Sequence, residues 1–129
     1  MGAKFTYVGI RVKNMKKSID FYTKFLGMKD KGHSRIEAAK GDVAYLESGD
    51  GQVGIELNHY DAKSPFNTKY FVGEGLDHLA FGVADLDASV ERAKKLGYKF
   101  LKEVKTEKSR WVYVEDPNGI WIELLKNSQ

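Results

Sequence analysis

The 129-residue sequence predicts an α+β fold built from two βαβββ modules. Three observations carry this reading. First, residues 7–18, YVGIRVKNMKKS, align with residues 78–89, HLAFGVADLDAS. Apolar positions match: Val8 with Leu79, Ile10 with Phe81, Val12 with Val83, Met15 with Leu86. Second, GIEL at 54–57 falls over WIEL at 121–124. Third, the spacings agree, because Tyr7 to Glu56 is 56 − 7 = 49 residues and His78 to Glu123 is 123 − 78 = 45. Half-chains this short bury little apolar surface, so the two are expected to form one domain over residues 1–129. Its modules span about 5–58 and 77–126, joined by a loop over 59–76.

The first element is a strand over 6–12, with Phe5 and Thr6 at its start. It alternates at period two: Thr6, Val8, Ile10 and Val12 take one face, Tyr7, Gly9 and Arg11 the other. A helix follows, capped by Asn14, with Met15, Ile19, Tyr22 and Leu26 at helical spacing and Gly27 as its stop. A strand near 33–38 is required to match the second module, and strands over 42–47 and 52–58 complete the first. In the second, a strand over 78–83 leads to a helix capped by Asp85, with Leu86, Val90 and Ala93 in register and Gly97 as its stop. Strands over 98–105, 110–115 and 120–125 finish the module. SGDGQ (48–52) and DPNG (116–119) are turn chemistry between strands. The connection over 59–76 is long for a compact domain and reads as a functional loop, with Phe66, Tyr70 and Phe71 able to pack over something.

Composition excludes several classes of function. There is no cysteine, so disulfides, thiolate metal sites and cysteine nucleophiles are absent. The net charge of +3 is small and the lysines are scattered, without the basic stripe and interleaved aromatics of a nucleic-acid surface. No run is long and apolar enough to span a membrane, and no signal-peptide pattern is present. The start, MGAKFT, fits a loose myristoylation pattern but reads better as the approach to a strand. A soluble cytoplasmic protein is expected.

The period of two also sorts the polar residues. Val53, Ile55 and Leu57 share a face, leaving Gly54 and Glu56 opposite; Ile120, Ile122 and Leu124 leave Trp121 and Glu123. Leu79, Phe81 and Val83 leave His78, Ala80 and Gly82. Tyr7, Glu56, His78 and Glu123 therefore lie on the faces away from the aliphatic ones, as two equivalent pairs. Two carboxylates and an imidazole converging in a cavity lined by Gly9, Gly54, Ala80 and Gly82 suit a divalent metal. The same residues also fit the open face of an antiparallel sheet, with each Glu facing solvent and His78 a structural histidine. His33 and His59, in turn or linker regions, read as surface residues. Arg11 could clamp a substrate carboxylate or be a surface arginine at a strand end, and Trp121 could wall a pocket or belong to the core.

SIDFYTKFLGM (18–28), GLDHLAFGV (75–83) and VEDPNGIWIELL (114–125) resemble the vicinal-oxygen-chelate superfamily, which spans glyoxalases, bleomycin-resistance proteins and dioxygenases. Within it the chain looks most like the glyoxalase I (lactoylglutathione lyase) family, over about residues 5–126. The resemblance implies paired βαβββ modules forming an open, barrel-like cup around a nickel, zinc, cobalt or manganese ion. It also implies a homodimer whose subunits share each site, and glutathione or another thiol as co-substrate. The glyoxalase ligand set, His-Glu-His-Glu, is matched in its last three members by Glu56, His78 and Glu123; Tyr7 stands at the first. A neutral phenol is a poor ligand, and its phenolate is costly at pH 7. By resemblance Glu123 is base and ligand and Glu56 is ligand and second proton carrier; Tyr7, Arg11 and Trp121, on the same strand faces, are the expected substrate contacts. The implied reaction isomerises a hemithioacetal of methylglyoxal. Two other readings use the same residues: a metal-free small-molecule binder like the antibiotic-sequestering members, or another metal enzyme such as an epimerase.

Overall fold

A computed structural model describes residues 7–72, 76 and 78–127. Phe5 and Thr6, the MGAKFT start and the module boundary expected at Asp77 lie outside the described residues. The chain divides into two compact units, Met1–Tyr70 and Phe71–Gln129.

The first unit runs β1 (Tyr7–Arg11), α1 (Met15–Asp20), β2 (Lys29–Ile36), β3 (Gly41–Glu47) and β4 (Gly54–Tyr60). The second runs β5 (Leu79–Val83), α2 (Leu86–Lys95), β6 (Phe100–Lys105), β7 (Arg110–Glu115) and β8 (Trp121–Lys126). Both are βαβββ, as the repeat predicts. Each makes one four-stranded sheet of the same topology, β1-β4-β3-β2 and β5-β8-β7-β6. The first strand of each unit pairs in parallel with its last, and the remaining pairs are antiparallel. A parallel pair needs a crossover, and the helix supplies it.

Capping follows the sequence. Asn14 Oδ1 accepts the Lys17 backbone N–H at 3.0 Å, and Asp85 Oδ1 accepts that of Ala88 at 3.0 Å. Gly27 (φ +74°) and Gly97 (φ +83°) stop the two helical segments in the left-handed conformation. The Met28 N–H reaches the Tyr22 carbonyl, and that of Tyr98 reaches the Ala93 carbonyl.

The first helix departs from expectation in its second half. Residues Phe21–Phe25 form a π-turn, closed by the Leu26 N–H on the Phe21 carbonyl at 3.2 Å. The Thr23 hydroxyl also donates to the Ile19 carbonyl at 2.6 Å, so local bonds compete with the α ladder. The wider turn rotates the apolar stripe. Ser18, Phe21, Tyr22 and Phe25 are buried, whereas Met15, Ile19 and Leu26 of the expected stripe are only partly covered. Phe21 sits edge-to-face on both Tyr22 (5.0 Å) and Phe25 (5.4 Å).

Strand boundaries shift as well. The strand expected near 33–38 begins at Lys29 and carries a bulge between Asp30 and Gly32; β6 carries one at the matching place, between Phe100 and Lys102. The last strand of the first unit continues to Tyr60, so His59 belongs to a strand and is half-buried. His33 also lies in a strand, exposed, with Nε2 at 2.7 Å from Asp30 Oδ2. Of the expected aliphatic faces, Ile10, Val12, Ile55 and Leu57 are buried in one unit and Ile120, Ile122 and Leu124 in the other, where Val112 and Val114 join them; Val8, Leu79, Phe81 and Val83 are only partly covered. Each buried side chain contributes about 1.5–3 kcal/mol by leaving water. Val53 is exposed at 49%, because β4 starts at Gly54, after it.

The DPNG turn is held by one buried carboxylate. Asp116 Oδ1 accepts the backbone N–H groups of Asn118 and Ile120, both at 2.8 Å, and Oδ2 accepts from Asn118 Nδ2 at 2.9 Å. Replacing Asp116 by Ala orphans these donors and is expected to cost about 2–4 kcal/mol in urea unfolding, whereas Asp87→Ala, at an exposed position, is expected to cost under about 1 kcal/mol.

Candidate functional site

The parallel pairing of β5 with β8 sets Ala80 opposite Glu123, and His78 immediately precedes β5. His78 Nε2 lies 3.4 Å from Glu123 Oε1, with both side chains largely covered. Two residues 45 positions apart thus meet on the face opposite Ile122 and Leu124. Antiparallel pairing with β7 sets Tyr113 on Glu123's other side. The Tyr113 hydroxyl donates to Glu123 Oε1 at 3.1 Å and accepts from Trp111 Nε1 at 3.2 Å. Its ring meets His78 edge-on at 5.6 Å and Trp121 at 5.4 Å. Trp121 is 42% exposed, on the polar face and outside the core. Glu123 Oε2 has no hydrogen-bond partner among the described residues.

The first unit repeats the layout with different chemistry. Glu56 lies between Gly9 of β1 and Tyr45 of β3, while Tyr7 pairs with Gly54. Tyr7 and Tyr45 meet edge-to-face at 6.1 Å. The Glu56 carboxylate has no hydrogen bond or ion pair among the described residues. By register, Tyr7 matches His78, Glu56 matches Glu123, Tyr45 matches Tyr113 and Val43 matches Trp111.

Tyr45, Trp111 and Tyr113 escape the motif search because they occupy ordinary alternating positions in apolar strands. A signal exists: AYLE (44–47) aligns with VYVE (112–115). The small residues also have another role than lining an open cavity. A Cβ on Gly54 would stand 2.6 Å from Tyr45 Cζ and 2.6 Å from the Leu46 carbonyl oxygen, and one on Gly82 would stand 3.2 Å from Asn127 Cγ. These two glycines make room for neighbouring side chains of their own units.

Arg11 is engaged elsewhere than a carboxylate clamp would require. Its Nη1 donates to the Phe66 carbonyl at 3.1 Å and the Thr68 hydroxyl at 3.2 Å, its guanidinium lies 5.1 Å from the Tyr70 ring centroid, and Tyr70 donates back to the Arg11 carbonyl. Phe66 stacks on Tyr60 at 5.6 Å. Residues 61–70 are therefore tied down onto β1 and β4 of the first unit. At the head of this segment Asp61 receives both Nη groups of Arg35, which holds its carboxyl below the usual carboxylate range.

Beside Glu123 the second unit opens a cavity of about 630 Å3, lined also by Trp111, Leu125, Arg110, Lys108 and Lys126. Arg110 is neutralised by Asp87 (2.7 Å) and Glu103. Among the described residues, the Lys108 and Lys126 side chains have no ion-pair partner.

No three His, Asp or Glu side chains of the described residues gather in a form that would hold a metal ion. The chemistry of the donors still fits one: an imidazole and a carboxylate side by side, with a free carboxylate oxygen, make half of a hard-to-borderline divalent site. A complete protein site takes three or four such donors.

The sequence model of the Glyoxalase/Bleomycin resistance protein/Dioxygenase superfamily matches residues 4–124, and the chain belongs to that superfamily. It is 28% identical to a lactoylglutathione lyase of Pseudomonas aeruginosa, covering 96% of this chain and 82% of that protein. It is 33% identical to a probable lactoylglutathione lyase of Vibrio parahaemolyticus, covering 93% and 88%. The trypanothione-dependent glyoxalase I of Leishmania major is similar in structure, with a TM-score of 0.77 at 27% identity over 97% of this chain and 87% of that one.

Two outcomes follow from this geometry. Arg11→Met is expected to speed amide hydrogen exchange across residues 64–70, leaving β7 and β8 unchanged. Asp61 ionises more readily folded than its ordinary value of 3.8, so its stabilisation is present above that pH and fades as pH falls through the folded value. Asp61→Asn should therefore lower the urea midpoint at pH 7, with the deficit shrinking below about pH 4.

Proposed function

We propose that this chain is a metal-dependent, glyoxalase I-like lyase that isomerises the hemithioacetal of methylglyoxal and a thiol, glutathione or an analogue. One observation carries the reading: His78 and Glu123 are side by side across β5 and β8 in a chain of this superfamily. The names of its bacterial relatives support it. Glu56, His78 and Glu123 would hold the ion, and Tyr7, a weak donor, leaves a ligand position to water. By analogy with the family, the reading includes a homodimer in which Tyr7 and Glu56 of one copy serve the His78–Glu123 pair of the other.

When bound, a nickel, zinc, cobalt or manganese ion supplies the positive charge that stabilises the enediolate oxygens. The rest falls to the chain. Glu123, with Oε2 open, removes the proton from the carbon bearing sulfur. The proton taken up by Glu123 passes to Glu56, also without a partner among the described residues, which returns it to the adjacent carbon. Trp121 excludes water, and the cavity holding Lys108 and Lys126 takes a carboxylate of the thiol. Arg11 has no part in this, being committed to residues 66–70.

A second reading has its own observation. The polar faces are rich in rings, with Tyr7 against Tyr45 and Tyr113 among His78 and Trp121, which suits a metal-free binder that stacks on a flat ligand.

Loading the purified protein with each of the four metals, measuring bound ion and following thioester formation by ultraviolet absorbance separates them. Bound metal with turnover is expected, and Tyr7→His should tighten metal about tenfold by adding an imidazole donor. Metal without turnover removes the lyase reading; no metal leaves the binder. Unchanged affinity in Tyr7→His removes Tyr7 from the site.

A further inference from the structure

We propose that Tyr113 is the positioning residue for Glu123, with Trp111 fixing the direction of its hydroxyl; this rests on the reading of Glu123 as the reacting carboxylate. The directionality follows from donor chemistry. An indole N–H can only donate, so the Tyr113 oxygen must accept from Trp111 Nε1. The single phenolic proton is then left to point at Glu123 Oε1. Oε1 is thereby held by the Tyr113 hydroxyl, with His78 Nε2 3.4 Å away, and Oε2 is the oxygen presented for reaction.

The other unit is an internal control. There Tyr45 stands at the position of Tyr113, but Val43 stands at that of Trp111 and cannot donate. The Tyr45 hydroxyl has no hydrogen-bond partner among the described residues. Glu56 is accordingly untethered. The two carboxylates, equivalent by repeat, are thus separated into a fixed one and a free one by three side chains.

The test uses the full-length, metal-loaded protein. Tyr113→Phe removes one oxygen and keeps the ring, so folding should be retained, with kcat falling about ten- to one-hundredfold and KM within about twofold. Trp111→Phe should give a smaller loss in kcat, and the double variant no more than Tyr113→Phe alone, because Trp111 acts only through Tyr113. An additive double variant, or an unchanged kcat in Tyr113→Phe, overturns the proposal. A second arm needs no turnover. The chain has two tryptophans and hence two indole N–H resonances, and Trp111→Phe identifies one. Glu123→Gln should move the Trp111 resonance in the wild-type background and leave it still in Tyr113→Phe. No movement in the wild-type background overturns the relay. If the wild type turns over no hemithioacetal, the lyase reading falls, and this second arm still decides whether Tyr113 orients Glu123.

Discussion

The parallel pairing of each unit's first strand with its last is the constraint on which the rest depends. It requires a crossover, so a helix must stand between first and second strands, and capping by Asn14 or Asp85 with a stop at Gly27 or Gly97 sets that helix's length. It also fixes which residues meet. Were β8 shifted by one residue against β5, Glu123 would join the buried aliphatic face and Ile122 would replace it beside Ala80. The burial of Val112, Val114, Ile122 and Leu124 opposes that slip, so the aliphatic face enforces the register that the polar face uses.

Much of this was legible in the sequence because it obeys short periods. The period of two assigned Tyr7, Glu56, His78 and Glu123 to the polar faces, and the matched spacings predicted two half-chains built alike. The π-turn at Phe21–Phe25 was not legible, because SIDFYTKF satisfies a regular 3.6-residue pattern equally well; the decision is made by burial of Phe21, Tyr22 and Phe25 and by the Thr23 hydroxyl. The destination of Arg11 was hidden for another reason. Its partners, Phe66, Thr68 and Tyr70, are 55 or more residues away in an irregular segment with no periodicity to read.

Tyr113 is the instructive omission. A tyrosine in WVYVE looks like one more β-forming aromatic. Its significance is relational: it stands between an obligate donor two residues before it and an acceptor across the sheet. Only pairing of β7 with β8 reveals that. The strand layout recurs in both units, and differences on the polar faces, among them Tyr7 for His78, Val43 for Trp111 and Gly54 for Trp121, make those faces unlike.

The outermost strands carry a last consequence. β2 and β6 each end the strand order of their sheet, and each is bulged near its start. β2 reads KDKGHSRI and is exposed along its whole length; β6 reads FLKEVK, with three charges in six residues. A bulged, twisted edge studded with lysine and glutamate is a poor template for a foreign strand. A sheet with such a margin resists growing along it into fibrils.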